Sequence, residues 1–336
     1  MKDVAWTTAI VLGFSAAVVH WSTPDELPVR GDGLGAPASV PSVDEPIQPI
    51  VQLEPVDDRI RALGERLFHD PRLSRDSTQS CSTCHSLTNA GIDGHALGLG
   101  IDGQELGINV PTVLNASLNF RQFWDGRVAS LEEQVDGPLL NPKEMGSSWE
   151  HVVAVLESDA AYVQAFDEIY GGPPVPEAIR HAIASFERTL VTPNSRFDRY
   201  LRGDAFALTP AEKSGYLLFK DYGCVGCHQG MGVGGNMFQR LGIVRNYFED
   251  RGNVTEADLG RFNVTKKDSD RHVFKVPSLR NVARTSPYFH DGSARTLAEA
   301  IRIMARYQLG REIPDDEIAQ IEAFLRSLNG EIRGRS

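Results

Sequence analysis

Four cysteines stand in the chain, in two short clusters: Cys81-Ser82-Thr83-Cys84-His85 and Cys224-Val225-Gly226-Cys227-His228. Both have the form C-x-x-C-H, the attachment signature of c-type haem. The spacing has a chemical reason. Thiols three positions apart can add to the two vinyl groups of one porphyrin, and the next residue's imidazole then lies under the iron, where neutral nitrogen ligates well. Three other chemistries use paired cysteines. A zinc ribbon separates its pairs by about fifteen to twenty residues, whereas these lie 224 − 81 = 143 apart. A thioredoxin-like pair sits in a βαβ context, and none is visible. Disulfides are the usual reading of even cysteines in an exported protein, but shuffling this composition would give two C-x-x-C-H runs very rarely. The sequence therefore predicts two covalent haem c groups anchored by Cys81, Cys84, Cys224 and Cys227, with His85 and His228 on the irons.

The group opposite each iron decides between electron transfer and chemistry. After the second motif the methionines are Met231, Met237 and Met304. Met231 and Met237 follow Cys227 closely in a glycine-rich loop, too near to cross the porphyrin easily. Met304 lies 304 − 228 = 76 residues beyond His228, where the chain has room to return from the other face. A thioether there stabilises ferrous iron and raises the potential; a buried core methionine is the alternative. In the first half the methionine is Met145, sixty residues after His85, and the next histidine is His95, in a glycine-rich loop. His95 is either a distal ligand or an exposed loop residue. An iron without a strong sixth ligand is open to small molecules. The first haem is thus the candidate for chemistry and the second for electron supply.

Helices must position these groups. Ile60, Leu63 and Leu67 mark an amphipathic face before the first motif, and Ile179, Ile183, Phe186 and Leu190 mark another after the Gly171–Pro176 turn. Thr209-Pro210-Ala211-Glu212 reads as a capping box with proline at the first helical position, opening the helix into the second motif. Thr296 to Glu299 repeats the cap before a helix that contains Met304 and should stop near Gly310, and a last helix runs from about Pro314 to Leu328. Strands are confined to short pieces. Helix, C-x-x-C-H and long irregular loop occur twice, so the fold class is mainly α, two tandem cytochrome c-like haem domains at 52–203 and 204–336. Their boundary falls near Ser195–Leu208. Glycine-rich stretches such as Asn89–Asn109 are unusual inside compact domains; here they would wrap porphyrin.

Composition narrows the partners and the compartment. The 336 residues carry 34 Lys+Arg against 45 Asp+Glu, a net charge of −11, which argues against a nucleic-acid binder. An apolar run from Val4 to Val19 follows Lys2, long for a signal-peptide core and short for a membrane span. Residues 1–21 are read as a signal peptide or a membrane anchor, and either places the remainder outside the cytoplasm, in the periplasm or tethered to the inner membrane. Seven of the 19 prolines fall in residues 22–55, so 22–51 is read as a Pro-rich linker.

The sequence resembles the bacterial dihaem cytochrome c peroxidases over roughly residues 52–330. Besides the two haem motifs, the resemblance is carried by Phe68-His69-Asp70-Pro71-Arg72-Leu73-Ser74, Pro111-Thr112-Val113-Leu114-Asn115, Gln122-Phe123-Trp124-Asp125-Gly126-Arg127, Gly137-Pro138 and Asn141-Pro142-Lys143-Glu144-Met145. In the second half it is carried by Thr189-Leu190-Val191-Thr192-Pro193, Phe274-Lys275-Val276-Pro277-Ser278-Leu279-Arg280-Asn281 and Pro287-Tyr288-Phe289-His290-Asp291-Gly292. It implies that Glu144 and Gln134 line a peroxide pocket over the first haem, that Trp124 lies between the haems, and that Met304 is the thioether ligand of the second. Asn109, Thr285 and Pro287 match the family's calcium site, a donor set of amide and carbonyl oxygens. A small cytochrome c or copper protein as electron donor, hydrogen peroxide as substrate and a homodimer are further implications.

One position departs from that pattern. Relatives that need prior reduction carry a distal histidine sixteen residues after the first motif's histidine, and Ile101 stands there. Isoleucine cannot ligate iron, so either His95 substitutes or the first iron is permanently open; the open site is the reading adopted. In the expected mechanism Glu144 moves a proton between the peroxide oxygens and Gln134 positions the peroxide. Two rival readings are a MauG-like dihaem oxidase of a partner protein, in which tyrosine replaces the methionine ligand, and a non-catalytic dihaem electron carrier.

Overall fold

The computed structural model describes residues 45–51 and 55–332. The expected leader (1–21) and most of the expected linker lie outside them. Through the first half the helices are α1 (Asp58–Phe68), α2 (Cys81–Cys84), α3 (Leu131–Leu140), α4 (Trp149–Glu157), α5 (Ala160–Tyr170) and α6 (Pro176–Thr189). They continue as α7 (Arg196–Leu201), α8 (Pro210–Asp221), α9 (Tyr247–Arg251), α10 (Phe262–Thr265), α11 (Leu297–Met304) and α12 (Asp315–Ser327). The sheet among the described residues is one antiparallel pair, β1 (Phe238–Arg240) and β2 (Val273–Lys275), with Gln239 opposite Phe274. The chain is mainly helical with little sheet. No helix among the described residues is long and apolar enough to cross a membrane.

The helices start where capping chemistry places them. Side chains of Ser130, Ser148 and Asp159 accept from the first-turn backbone of α3, α4 and α5, satisfying amide groups that have no intrahelical partner. Thr209 and Thr296 form the expected capping boxes with Glu212 and Glu299. The last helix also falls as expected, with Ile318, Ile321, Phe324 and Leu325 buried. Met304 closes α11 as an α-helix; the next turn, Ala305–Leu309, widens to a π-turn before left-handed Gly310.

Two helix crossings organise the packing, and each passes at a glycine. A Cβ on Gly64 of α1 would lie 2.0 Å from the Ala182 carbonyl oxygen of α6, and one on Gly215 of α8 would lie 1.9 Å from that of Gln320 in α12. Only glycine permits backbones to approach so closely. Each crossing sits just before a C-x-x-C-H motif. The motifs close alike: the N–H of His85 donates to the Cys81 carbonyl at 2.9 Å and that of His228 to the Cys224 carbonyl at 3.0 Å.

The same local devices recur elsewhere in both halves. Asn115 and Asn281 both adopt left-handed backbone, φ 61° and 59°, and both donate their side-chain amide to Thr192 Oγ1, at 2.9 and 2.8 Å. Short β-bridges join Gln122 to Val128 and Tyr288 to Ala294, each enclosing a left-handed phenylalanine, Phe123 or Phe289. Trp124 and His290 follow those phenylalanines and meet edge to face, 6.3 Å between ring centroids.

Two segments read from composition as connectors are packed. The expected linker ends in a docked strap. Ile47 and Ile50 are buried, Ile47 bridges Gly230 just past the second motif, and the Ile50 N–H donates to Asp198 at 3.1 Å. The Ser195–Leu208 stretch contains α7, whose Phe197 is fully buried against Tyr216 and Phe324, with centroids 4.8 and 5.0 Å apart.

Candidate active site

A cavity opens beside the first motif. Its walls include Cys81, Cys84 and His85 from the motif, Trp124 and Arg127 from the loop before α3, Gln134 of α3, Glu144 from the loop after it, and Asn109. Apolar side chains from Leu73, Leu106, Ile108, Val110 and Val113 and the α6 residues Ile179 and Ile183 complete it. His85 is held by its Nδ1 against the Gly91 carbonyl at 3.2 Å, which leaves Nε2 as the atom for a metal. Burial keeps its imidazole below the usual range and hence neutral, as a ligand must be.

Glu144 is placed by close backbone contact. A Cβ on Gly100 would lie 1.8 Å from the Lys143 carbonyl oxygen, and the Ile101 N–H donates to the Glu144 carbonyl at 2.9 Å. Burial raises the Glu144 carboxyl above the ordinary carboxylate range, while an Asn141 amide 2.9 Å from its Oε1 and the Arg127 charge oppose that rise. A raised carboxyl facing a cavity is suited to giving and taking protons. Asn141 and Arg127 fall within the motifs that carry the resemblance, but the sequence alone gives neither a role. The guanidinium of Arg127 lies 3.3 Å over the Phe123 ring and pairs with Asp125 at 3.1 Å.

Ile101 is fully buried, with its Cδ1 against Gly146, and it does not line the cavity. His95 is exposed on the loop surface, also away from the cavity walls. The structure thus brings Glu144, Gln134 and Trp124 to one cavity with the first motif and leaves both candidate distal positions outside it.

The second motif lies in a tighter setting. His228 is buried against the backbone of Val233 and Pro277, its Nδ1 without a hydrogen-bond partner among the described residues, and burial pulls the imidazole down to about 4. A Cβ on Gly234 would come within 3.3 Å of that Nδ1. Met304 is half-buried against a cluster of Leu241, Tyr247, Phe248 and Phe274 that Trp124 also joins. Met231 and Met237 give their carbonyls to Arg280 and Val276. Trp124 therefore touches both settings, fixed by its indole N–H on the Asn109 carbonyl at 2.9 Å and by its own carbonyl on the Lys275 N–H at 2.8 Å.

Asn109 turns its amide nitrogen to the His95 and Ala96 carbonyls at 3.0 and 3.2 Å, which directs Oδ1 elsewhere. Thr285 precedes the cis Ser286–Pro287 bond, in which Pro287 takes part. A separate cluster of Asp258, His290 and Asp291 has metal-ligand residue types, but Arg251 already bonds both carboxylates, so a cation there would face a guanidinium.

No disulfide joins the four cysteines, so each sulfur is available for a thioether link. Burial pushes Cys81 up to about 12 and Cys84 and Cys224 up to about 11. Each pair stands beside a buried imidazole whose burial favours the neutral form, the arrangement a covalently attached haem would use.

The family described as di-haem cytochrome c peroxidase matches residues 58–206. Cytochrome c peroxidase Ccp of Escherichia coli is 50% identical over 288 residues, 85% of this chain; the chain spans 62% of that protein's length. Cytochrome c551 peroxidase of Nitrosomonas europaea is 46% identical, with 88% of this chain and 87% of that protein covered. Among solved structures, a MauG-like protein associated with microbial copper homeostasis superposes with a TM-score of 0.76 at 29% identity, covering 88% of this chain and 97% of that one. The chain belongs to the di-haem cytochrome c peroxidase family, oxidoreductases that carry two haem groups.

Proposed function

We propose that the protein reduces hydrogen peroxide to water at the first haem, with electrons from a small cytochrome c or copper protein entering at the second. The observation that carries this is one cavity holding a haem motif, a raised carboxyl, an amide and a tryptophan that reaches the Met304 cluster. Cys81 and Cys84 would hold one haem with His85 on its iron, and Cys224 and Cys227 the other, between His228 and Met304. The haem irons supply the redox chemistry when bound.

The chain's own residues handle protons and position. Each turnover consumes one peroxide, two electrons and two protons and yields two waters. Glu144, ionised, accepts the proton from the inner peroxide oxygen and returns it to the outer one as the bond breaks. Gln134 donates from its side-chain amide to the oxygen that gains negative charge. Trp124, packed between the two settings, offers an aromatic conduit. Two tandem cytochrome c-like domains, 52–203 and 204–336, are the reading of the duplicated devices. Asn109, with the carbonyls of Thr285 and Pro287, is the proposed calcium site between them. A periplasmic homodimer whose N-terminal segment is a leader or a tether completes the proposal.

The test is peroxide-dependent oxidation of reduced cytochrome c. Two equivalents should be consumed per peroxide, and Glu144→Ala should lose turnover by about 10²–10⁴-fold while both haem spectra persist. Undiminished turnover in the variant would remove the acid–base role, and a stoichiometry unlinked to cytochrome c would favour the protein-oxidising relative. Because Ile101 and His95 both lie outside the cavity, the oxidised protein as isolated should give a high-spin ferric signal by paramagnetic resonance. A purely low-spin spectrum would exclude the open first site.

A further inference from the structure

α6 turns a stripe of one-turn spacing toward the first cavity: Ile179, Ile183 and Glu187. Two members are apolar, as a haem-facing wall requires, and the third is a carboxylic acid. Glu187 is 5% exposed, and no hydrogen bond or ion pair to its carboxyl is found among the described residues. Its oxygens are not among the buried side-chain atoms left unpartnered in the packed interior; the carboxyl faces the cavity, where apolar walls make a charge costly.

The neighbouring charges do not neutralise it. On α6 itself the adjacent Arg188 is committed to Glu132 of α3 at 2.6 Å. On α2 the nearest titratable group is Cys81, which a thioether link removes from titration. α1 meets α6 through Gly64 and Phe68, which carry no charge. Burial pushes the carboxyl up to about 8, with Arg188 opposing and Glu132 reinforcing the rise. Burial therefore favours the protonated acid, in a medium where a charge appearing nearby acts strongly.

We infer that Glu187 is a proton store for the first haem, holding a proton while that haem is reduced and releasing it when the haem is oxidised. Loss of an electron adds positive charge beside the carboxyl and favours its ionised form; return of the electron draws the proton back. Peroxide reduction needs two protons for its two electrons, and Glu187 lets one of them move with an electron. This rests on the reading of the first motif as a haem site and deepens the peroxidase proposal.

The experiment uses the haem-loaded full chain and reads potential, not turnover. The reduction potential of the first haem is measured by spectroelectrochemistry from about pH 6 to about pH 9, a window around the raised carboxyl. The wild type should show a potential that falls as pH rises, and Glu187→Gln, which keeps size and hydrogen-bonding capacity, should flatten it. An equal slope in the variant, or no slope in the wild type, overturns the inference. Should Glu187→Gln not take up haem, redox-difference infrared spectra of the wild type decide. A protonated-carboxyl band present in the reduced state and lost on oxidation supports the store, and its absence overturns it. Peroxidase turnover is assayed in parallel. Absent turnover with a retained slope would count against the peroxidase reading alone.

Discussion

Asn141 sets the charge of Glu144 against burial, which makes it the test of the proposed base. Desolvation raises the carboxyl, and the Asn141 amide bonded to its ionised form lowers it. A base must be ionised to accept a proton, so turnover should fall as pH drops through the raised value. Removing the amide with Asn141→Ala takes away a stabiliser of the charged form and pushes the carboxyl higher. The acid limb of kcat/KM should therefore move to higher pH in Asn141→Ala, by roughly one unit for a hydrogen bond worth about 1.5 kcal/mol. A limb that stays in place would detach Glu144 from the profile. At this scale the sequence is uneven. The four cysteines and two histidines are legible because attachment chemistry is encoded by adjacent residues. Glu144, read alone, is a solvated carboxylate; the loop that packs on its backbone at Gly100 is far away in sequence, and only a motif resemblance pointed to it. Glu187 escaped altogether, since a carboxylate on a helix gives no sign of which way it faces until the stripe with Ile179 and Ile183 is seen.

The elements owe their positions to a few close approaches. Gly100 is not in left-handed backbone (φ −100°), so its need for glycine is purely spatial: a Cβ would drive into the Lys143 carbonyl 1.8 Å away and to 2.9 Å from the Glu144 Cα. Gly100→Ala should shift that loop and with it the acid, lowering peroxidase kcat/KM at least tenfold, since displacement of a reacting group by about an ångström costs on the order of 10²-fold. Gly215→Ala strikes a helix crossing instead and should cost about 1–3 kcal/mol or more of stability, visible as a lowered thermal midpoint. If both variants lost activity and stability in the same proportion, the loop would have no separate positioning role. Helices were readable where caps announced them, as at Thr209 and Thr296. The strap at residues 45–51 was not, because Pro-rich composition reads as linker, and its anchors are two isolated apolar side chains, Ile47 and Ile50, together with backbone bonds to distant partners such as Asp198 and Arg280. The π-turn after Met304 carries no sequence signal of its own.

Across the whole molecule, one hydroxyl joins the duplicated devices. Thr192 is fully buried. Its Oγ1 accepts the amides of Asn115 and Asn281, its N–H donates to Asn115 Oδ1 at 2.9 Å, and Asn281 Oδ1 takes the Gly330 N–H at 2.8 Å. Both asparagines sit in left-handed backbone that asparagine tolerates better than most residues. Thr192→Val keeps the shape and removes the acceptor, leaving two buried amide donors without partners. Each such loss costs about 1–3 kcal/mol, which predicts a total of about 2–6 kcal/mol in thermal or denaturant unfolding of the haem-loaded protein. The coupling has a sharper readout. If the hydroxyl ties the first-motif half to the second, the wild type should unfold in one transition by both haem absorbance and far-ultraviolet dichroism, and Thr192→Val should separate the two probes. Coincident probes in the variant, at a midpoint near that of the wild type, would mean that the halves are held together elsewhere. The buried pair of Arg280 and Asp198, 2.9 Å apart, would then be the next candidate, since Arg280 also bonds the strap at the Gln48 carbonyl.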